Sequence, residues 1–196
     1  ASGEEEYDSF NSAFLFGPDG KYRASYRKQR LVVFGEYVPL SEWFPFLRRL
    51  TPIQGGFTSG AGPQEFQLAE PAVDVPVLIC FEDMFAAIAR RAVEPDTDFL
   101  VNLTNNGWFG ESSAQWQHAA GAVFRAVENG LPLVRCTNNG LTCWVDATGR
   151  LHEVWFGGGR DIYGAGFKLA RVSALAEGAR RELTFYTRQG DVFGWL

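Results

Sequence analysis

The pattern of apolar and polar positions along the chain predicts strands that alternate with helices. Two largely apolar runs, at residues 73–79 and 99–103, are typical of buried strands. Residues 85–93, between them, have helical spacing. Residues 114–129 predict an amphipathic helix that ends at Gly130, a good C-cap residue. This alternation indicates the α/β class.

Hairpins are predicted at both ends of the chain, because turn-forming residues separate short strand-like runs there. Together with the alternating strands and helices in the middle of the chain, they predict a mixed sheet. The first hairpin pairs residues 11–16 with 21–26, the second pairs residues 133–137 with 142–146 around Asn139 and Gly140, and a last strand covers residues 151–156.

Two segments lie between the first hairpin and the central strands. Residues 41–49 predict a short aromatic helix with Ser41 as its N-cap. Residues 51–62 are rich in Gly, Ser and Thr and lack periodicity, which favours an active-site loop or lid over a linker. Since 196 residues is the length of one domain, we predict a single domain over residues 1–196.

Charge and hydropathy exclude several classes of partner. The formal net charge is −5 and the basic residues are scattered, which argues against a nucleic-acid interface. No apolar run approaches the roughly 18 residues of a membrane-spanning helix. The acidic residues 4–6 are the opposite of the basic start of a signal peptide. We therefore expect a soluble chain.

The three cysteines are an odd number, which excludes a disulfide framework. Cys136 and Cys143 flank the predicted turn at residues 139–140. Counted outward from a two-residue turn they face each other, with Cα atoms about 5.5 Å apart. A disulfide and two free thiols are the alternatives, and we favour the free thiols. With His118 and His152 as the two histidines, we predict no metal site and no cofactor.

Cys80 is the candidate nucleophile. It follows an apolar strand and precedes the acidic pair Glu82 and Asp83. Nucleophiles of α/β enzymes tend to lie at such carboxyl ends of buried strands. The alternative is a packed core cysteine, since free cysteines are among the most buried residue types.

Four segments in a fixed order resemble the nitrilase superfamily, and within it they are most similar to the soluble domain of the apolipoprotein N-acyltransferases. The resemblance runs from about residue 7 to the end of the chain. It implies a nitrilase-like αββα sandwich, with mixed sheets flanked by helices, of which this chain holds a part. The segments are residues 28–39, Ile79-Cys80-Phe81-Glu82, residues 102–110, and Arg135-Cys136-Thr137-Asn138-Asn139-Gly140.

The resemblance implies a role for each candidate residue of the nucleophile site. Cys80 attacks the acyl carbon, and Lys28 stabilises the oxyanion that forms. Glu36 orients the lysine, Glu82 supports the nucleophile, and Phe81 lines the acyl pocket. Read without the resemblance, Lys28 is an exposed lysine of a basic run and Glu36 is a turn carboxylate.

The loop at residues 105–110 is polar, rich in glycine and aromatic. We predict substrate contacts from Asn105, Asn106, Trp108 and Phe109, and a tightly packed turn is the equal alternative. His118 follows this loop. A Cys-His pair is one interpretation of it, but we favour a structural histidine.

The catalytic base is the main departure from the family pattern. The superfamily carries a glutamate on an early strand, and nothing before Lys28 matches it. We therefore expect a domain truncated on its N-terminal side, whose base is absent or replaced by Glu36 or Glu82. Loss of the first strands exposes a sheet edge, through which we expect pairing into a homo-oligomer.

Three functions are expected from these residues and from the resemblance. The first, which the resemblance implies, is transfer of an acyl group from an ester or phospholipid donor, through a Cys80 thioester, to the amino terminus of a lipoprotein. The second is hydrolysis of an ester or amide at the same site, with water as the acceptor. The third is a non-catalytic fragment. The resemblance places the parent family in the inner membrane with a periplasmic catalytic domain.

Overall fold

A computed structural model of the protein describes residues 7–51, 56–157, 159 and 161–194. The chain separates into two units, Ala1–Gly62 and Pro63–Leu196. The first contains a two-stranded sheet and the second a six-stranded sheet. Within the described residues, no helix has the length and apolar character that a bilayer crossing needs. The single domain predicted over residues 1–196 stays a prediction.

The first unit is built on the predicted N-terminal hairpin. Strand β1, Ser12–Phe16, pairs antiparallel with β2, Tyr22–Arg27, and this confirms the expected strands. Tyr26 is buried on one face of the pair. The backbone N–H of Lys28 donates to the carbonyl of Asn11 over 2.8 Å, which continues the pairing beyond β2.

The predicted helix at residues 41–49 is wrong in its start and in its cap. A 3₁₀-helix covers Pro45–Leu50 and follows Phe44, which has φ −129° and no side-chain cap. The ring of Pro45 disfavours a helical backbone at the preceding residue, so the helix begins at the proline. Of the predicted loop at 51–62, residues 51 and 56–62 lie outside helices and strands, and residues 52–55 lie outside the described residues.

The second unit contains a mixed sheet in which strand order follows chain order. The three central strands β4, β5 and β6 are parallel to one another, and the outer strands pair antiparallel, so the predicted mixed sheet is confirmed. The first edge strand was not predicted, because only one of its five side chains is buried. The strands are β3, Glu65–Ala69; β4, Ala72–Ile79; β5, Leu100–Asn105; β6, Leu133–Asn138; β7, Cys143–Val145; and β8, Leu151–Glu153.

Two helices cover one face of this sheet and form the main core with it. Helix α1, Ala86–Ala92, and helix α2, Ala114–Asn129, confirm the predicted helices, and Gly130 caps α2 in the left-handed conformation at φ 64°. A short helix α3, Phe185–Gln189, lies near the C-terminus. The core side chains come from the strands (Leu78, Leu100, Leu133, Val145) and from the helices and the turn that follows α2 (Ile88, Ala89, Ala122, Ala126, Leu131).

The predicted register of the β6–β7 hairpin is wrong. Cys143 pairs with Arg135 and not with Cys136. The turn spans three residues instead of two, and Thr137 closes it by donating its hydroxyl to the carbonyl of Leu141 over 2.9 Å. A shift of one residue reverses the faces of a strand, so Cys136 is exposed and Cys143 is buried, and all cysteines are free thiols.

Candidate active site

Cys80 lies where β4 ends and a 3₁₀-turn, Cys80–Met84, begins. Its φ of 55° is left-handed, which is uncommon for a residue with a side chain and is concentrated at functional sites. The thiol is half-buried, and Sγ lies 4.0 Å from the carbonyl oxygen of Asn105. Cys80 therefore lies at the carboxyl end of β4, where it is partly accessible, and not in the core.

Two side chains hold the turn that carries the thiol. The fully buried carboxylate of Glu82 accepts a hydrogen bond from the backbone N–H of Ile79 over 2.7 Å. The amide of Asn102 donates to the carbonyl of Cys80 over 2.8 Å. Phe81 packs edge-on against Phe85, with ring centroids 5.1 Å apart. This arrangement agrees with a supporting role for Glu82, and its role as a base stays a prediction.

A buried polar network lies behind the turn. Arg135 is fully buried, and its Nη1 donates to the carboxylate of Asp83 and, over 3.1 Å, to Oδ1 of Asn102. Thr104 donates to the same Oδ1 over 2.7 Å. Because Oδ1 accepts two hydrogen bonds, the donor end of Asn102 must face Cys80. In the described part of the chain, Nε and Nη2 of Arg135 have no hydrogen-bond partner.

The other two cysteines have different environments. Burial raises the pKa of the Cys143 thiol to about 12, and the charge of Asp83 adds to this rise while that of Arg135 opposes it. Cys143 is therefore a neutral thiol and a poor nucleophile at ordinary pH. Cys136 is exposed in β6. It offers a matched control for the reactivity of Cys80.

The loop at residues 105–110 contains both buried and exposed side chains. Oδ1 of Asn105, which is exposed, accepts the N–H of Gly107 over 3.1 Å. Asn106 is fully buried and bonds to neighbouring side chains, as in a packed turn. Trp108 and Phe109 are 71% and 51% exposed, and they offer apolar surface to a substrate. Direct substrate contact from these residues stays a prediction, and for Asn106 the burial favours a positioning role.

His118 is part of the buried network. Its Nε2 lies 2.9 Å from Oδ1 of Asp83, and its Nδ1 lies 2.9 Å from Oδ1 of Asn106. These contacts support the structural interpretation of this histidine. Helix α2 can approach the nucleophile turn closely because Gly121 has no side chain, and a Cβ there would lie 3.2 Å from the carbonyl oxygen of Asp83.

In the first unit, Lys28 and Glu36 form a buried ion pair. Lys28 is 1% exposed, so the interpretation as a surface lysine is wrong. Its Nζ lies 2.9 and 2.7 Å from the two carboxylate oxygens of Glu36. Glu36 also accepts from Nδ2 of Asn11 over 2.6 Å and from the N–H of Val32 over 2.7 Å. Glu36 thus accepts hydrogen bonds from Lys28, which agrees with the orienting role that the resemblance implied, and that role stays a prediction.

The predicted residues therefore gather in two clusters, one in each unit. The sequence analysis missed Asn102 and Arg135, which connect to Cys80 through the network. Polar residues within buried strands were the available signal, since a buried polar side chain needs a hydrogen-bond partner. Among the described residues, no group of three or more Asp, Glu, His and Cys side chains could hold a metal ion.

Comparison with known proteins finds a family and a fold. Residues 1–168 match the carbon-nitrogen hydrolase family. Apolipoprotein N-acyltransferase of Geobacter metallireducens is 39% identical over 97% of this chain and 34% of that protein. The Vibrio cholerae protein of the same name is 41% identical over 76% of this chain and 30% of its own length. The chain thus spans about a third of the length of these curated relatives.

A solved structure shares the fold. An amidase of the nitrilase superfamily from Nesterenkonia AN1 aligns over 73% of this chain and 51% of that chain, with a TM-score of 0.50 and 20% sequence identity. This similarity supports a partial nitrilase-like α/β fold, as the sequence analysis expected.

Proposed function

Because the chain belongs to the carbon-nitrogen hydrolase family, we propose that it transfers acyl groups through a thioester on Cys80. The relatives named apolipoprotein N-acyltransferase point to an amine as the acceptor. The observation that carries the proposal is the position of Cys80. A half-buried thiol, held at a left-handed residue at the end of a parallel strand, can reach an acyl carbon.

The reaction has two steps. The thiolate form of Cys80, which is the nucleophilic form of a cysteine, attacks the carbonyl carbon of the donor ester. The new C–S bond forms, the C–O bond breaks, and the alcohol leaves with a proton from solvent. The amine then attacks the thioester, a C–N bond replaces the C–S bond, the amine proton is released, and the thiolate of Cys80 returns.

We assign oxyanion stabilisation to Lys28. This assignment is supported by the buried pair with Glu36, which fixes the position of the Lys28 ammonium group. Glu36 and Glu82 already accept hydrogen bonds from fixed donors, at Lys28 and Ile79 respectively. We therefore propose that both glutamates are positioning residues and assign the base to neither.

The donor is an ester with an apolar acyl chain, such as a phospholipid. This choice of donor is supported by the exposed side chains of Trp108 and Phe109. They belong to the same loop as Asn105, whose carbonyl contacts the thiol of Cys80. Large exposed aromatic side chains next to a nucleophile favour apolar substrates. The acceptor proposed from the relatives is the amino terminus of a lipoprotein.

Intact-mass spectrometry tests the proposal. The chain is incubated briefly with a p-nitrophenyl acyl ester, and the expected product carries one acyl group on Cys80, with a burst of p-nitrophenol. Cys80→Ala should take up no acyl group, and Cys136→Ser, which removes an exposed thiol, should behave as the unaltered chain does. Equal acylation of Cys80→Ala would refute the proposal.

The fate of the acyl group on Cys80 distinguishes transfer from hydrolysis. A short peptide with an amino-terminal cysteine is added after acylation, and transfer predicts an N-acylated peptide. Steady release of free acid without an acylated peptide would support the esterase or amidase alternative. If no acyl-enzyme forms, the result would support the non-catalytic alternative.

A further inference from the structure

One histidine ring connects the turn that carries Cys80 to the loop at residues 105–110. His118, on α2, is 7% exposed, and both of its ring nitrogens lie within hydrogen-bond distance of buried oxygen atoms. Nε2 faces the carboxylate of Asp83, which belongs to the nucleophile turn. Nδ1 faces the side chain of Asn106, which belongs to the loop.

The hydrogen bonds of Gln115 determine which atom of Asn106 faces the ring. Nε2 of Gln115 donates to two backbone carbonyls, those of Gly110 over 2.9 Å and Asn106 over 3.3 Å. Oε1 of Gln115 must then be the acceptor for Nδ2 of Asn106, at 2.7 Å. The remaining atom of that amide, Oδ1, therefore faces His118, and an amide oxygen can only accept.

The alternatives to this arrangement each cost hydrogen bonds. If Asn106 were turned to present its NH₂ group to the ring, Gln115 would also have to turn. Its oxygen would then oppose two carbonyl oxygens in a fully buried place. If His118 instead lacked the proton on Nε2, Asp83 would need one, and its ion pair with Arg135 would be lost.

We infer that His118 is doubly protonated and acts as a positioning residue that ties the nucleophile turn to the substrate loop. Its Nε2–H donates to Asp83 and its Nδ1–H donates to Asn106. The carboxylate of Asp83 faces the ring, and the guanidinium groups of Arg135 and Arg125 both donate to Asp83. Arg125 donates to the backbone carbonyl of Asp83 over 2.8 Å and is itself paired with Glu128.

The functional part of this inference rests on the proposed acyl transfer. The turn supplies the thiol, and the loop supplies the carbonyl of Asn105 that contacts it together with the exposed rings of Trp108 and Phe109. A single ring that donates in both directions sets the distance between these two elements. A neutral side chain such as glutamine can donate to one of them and must oppose the other with its oxygen.

The protonation state can be measured without any acyl substrate. The chain contains two histidines, so ¹⁵N-histidine labelling yields a simple NMR spectrum. The variants His118→Gln and His152→Gln assign the signals. Near neutral pH, the signals of His118 should show protons on both ring nitrogens. A ring nitrogen of His118 without a proton would overturn the inference, whether or not the chain is acylated by esters.

The positioning role predicts a difference between two reactions of the same thiol. His118→Gln should lower the rate constant for acylation of Cys80 by on the order of 10-fold or more, since small misplacements of reacting groups have effects of that size. Alkylation of Cys80 by iodoacetamide, which needs no substrate loop, should change by less than about twofold. His152→Gln, at a partly exposed site, should leave both rates unchanged.

Each outcome has one meaning. Equal acylation rates for His118→Gln and the unaltered chain would overturn the positioning role. An equal fall in both reactions would also overturn it, because the effect would then lie in the thiol and not in the loop. If the unaltered chain takes up no acyl group while His118 carries both protons, the proposed function fails and the protonation inference stands.

Discussion

The side-chain amide of Asn102 donates a hydrogen bond to the backbone carbonyl of Cys80 over 2.8 Å. Strand β5 thereby holds the first residue of a turn that leaves the neighbouring strand β4. The acceptor is the carbonyl of the residue that has the left-handed φ, Cys80 itself. The conformation of the candidate nucleophile thus depends on a residue 22 positions further along the chain.

Replacement of Asn102 should therefore affect both stability and reactivity. Asn102→Ala removes the donor to the carbonyl of Cys80 and one of the two acceptors of Nη1 of Arg135, which should lower the free energy of unfolding by about 1–3 kcal/mol. Asn102→Asp is the matched control, because it keeps an acceptor for Arg135 and Thr104 but has no donor for Cys80. Urea unfolding and acylation by a p-nitrophenyl ester measure the two effects. Acylation by Asn102→Asp at the full rate would contradict the role given to this hydrogen bond.

The ion pair of Lys28 and Glu36 should show strong coupling. Glu36→Gln leaves the ammonium group of Lys28 buried without its counter-charge, which should cost about 3–5 kcal/mol of unfolding free energy. The double variant Lys28→Met with Glu36→Gln removes both charges and should recover part of that loss. A double-mutant cycle in urea measures the coupling. Additive effects of the two substitutions would show that the interaction between Lys28 and Glu36 makes no net contribution to the free energy of unfolding.

Cys143 should make stability depend on pH in the alkaline range. Burial raises the pKa of its thiol from the usual 9.0 to about 12. Between these values the unfolded chain releases a proton that the folded chain keeps, so stability should be full below pH 9.0 and fall as pH rises toward about 12. Urea midpoints at neutral and alkaline pH test this, with Cys143→Ala as the control. A fall of the same size in that variant would assign the effect to other groups.

Glu65, on the edge strand β3, should be destabilising at neutral pH. Burial is the main cause that raises the pKa of its carboxyl, and the charges of Asp74, Asp96 and Glu94 act in the same direction, against a hydrogen bond from Thr97. A raised carboxyl pKa favours folding at acidic pH, and this contribution is lost as pH rises through the folded value.

Glu65→Gln should remove that penalty. The substitution keeps an oxygen that can accept from Thr97 and removes the charge, so it should raise the melting temperature near neutral pH, but only slightly, because solvent screens this partly exposed carboxyl. Near pH 4, where the carboxyl of the unaltered chain binds its proton, the gain should disappear. A melting temperature that does not change near neutral pH would contradict the prediction.

Local sequence was sufficient for much of the fold. Helix α2 matched its predicted limits of 114 and 129, because the apolar spacing and a glycine that tolerates φ 64° act within a few residues. Strand β4 begins one residue before its predicted start and ends where predicted, because its largely apolar run is buried on both faces. The candidate nucleophile was recognised in the same way, from a short motif at the end of that strand.

Tertiary pairing decided the rest, because contacts between distant residues leave no local pattern. The β6–β7 register, and with it the separation of Cys136 from Cys143, depends on a turn that takes one residue more than its Asn-Gly sequence favours. Asn102 meets Arg135 because β5 and β6 pair in parallel with these residues opposite each other. The support of the nucleophile therefore became visible only when the strands were placed side by side.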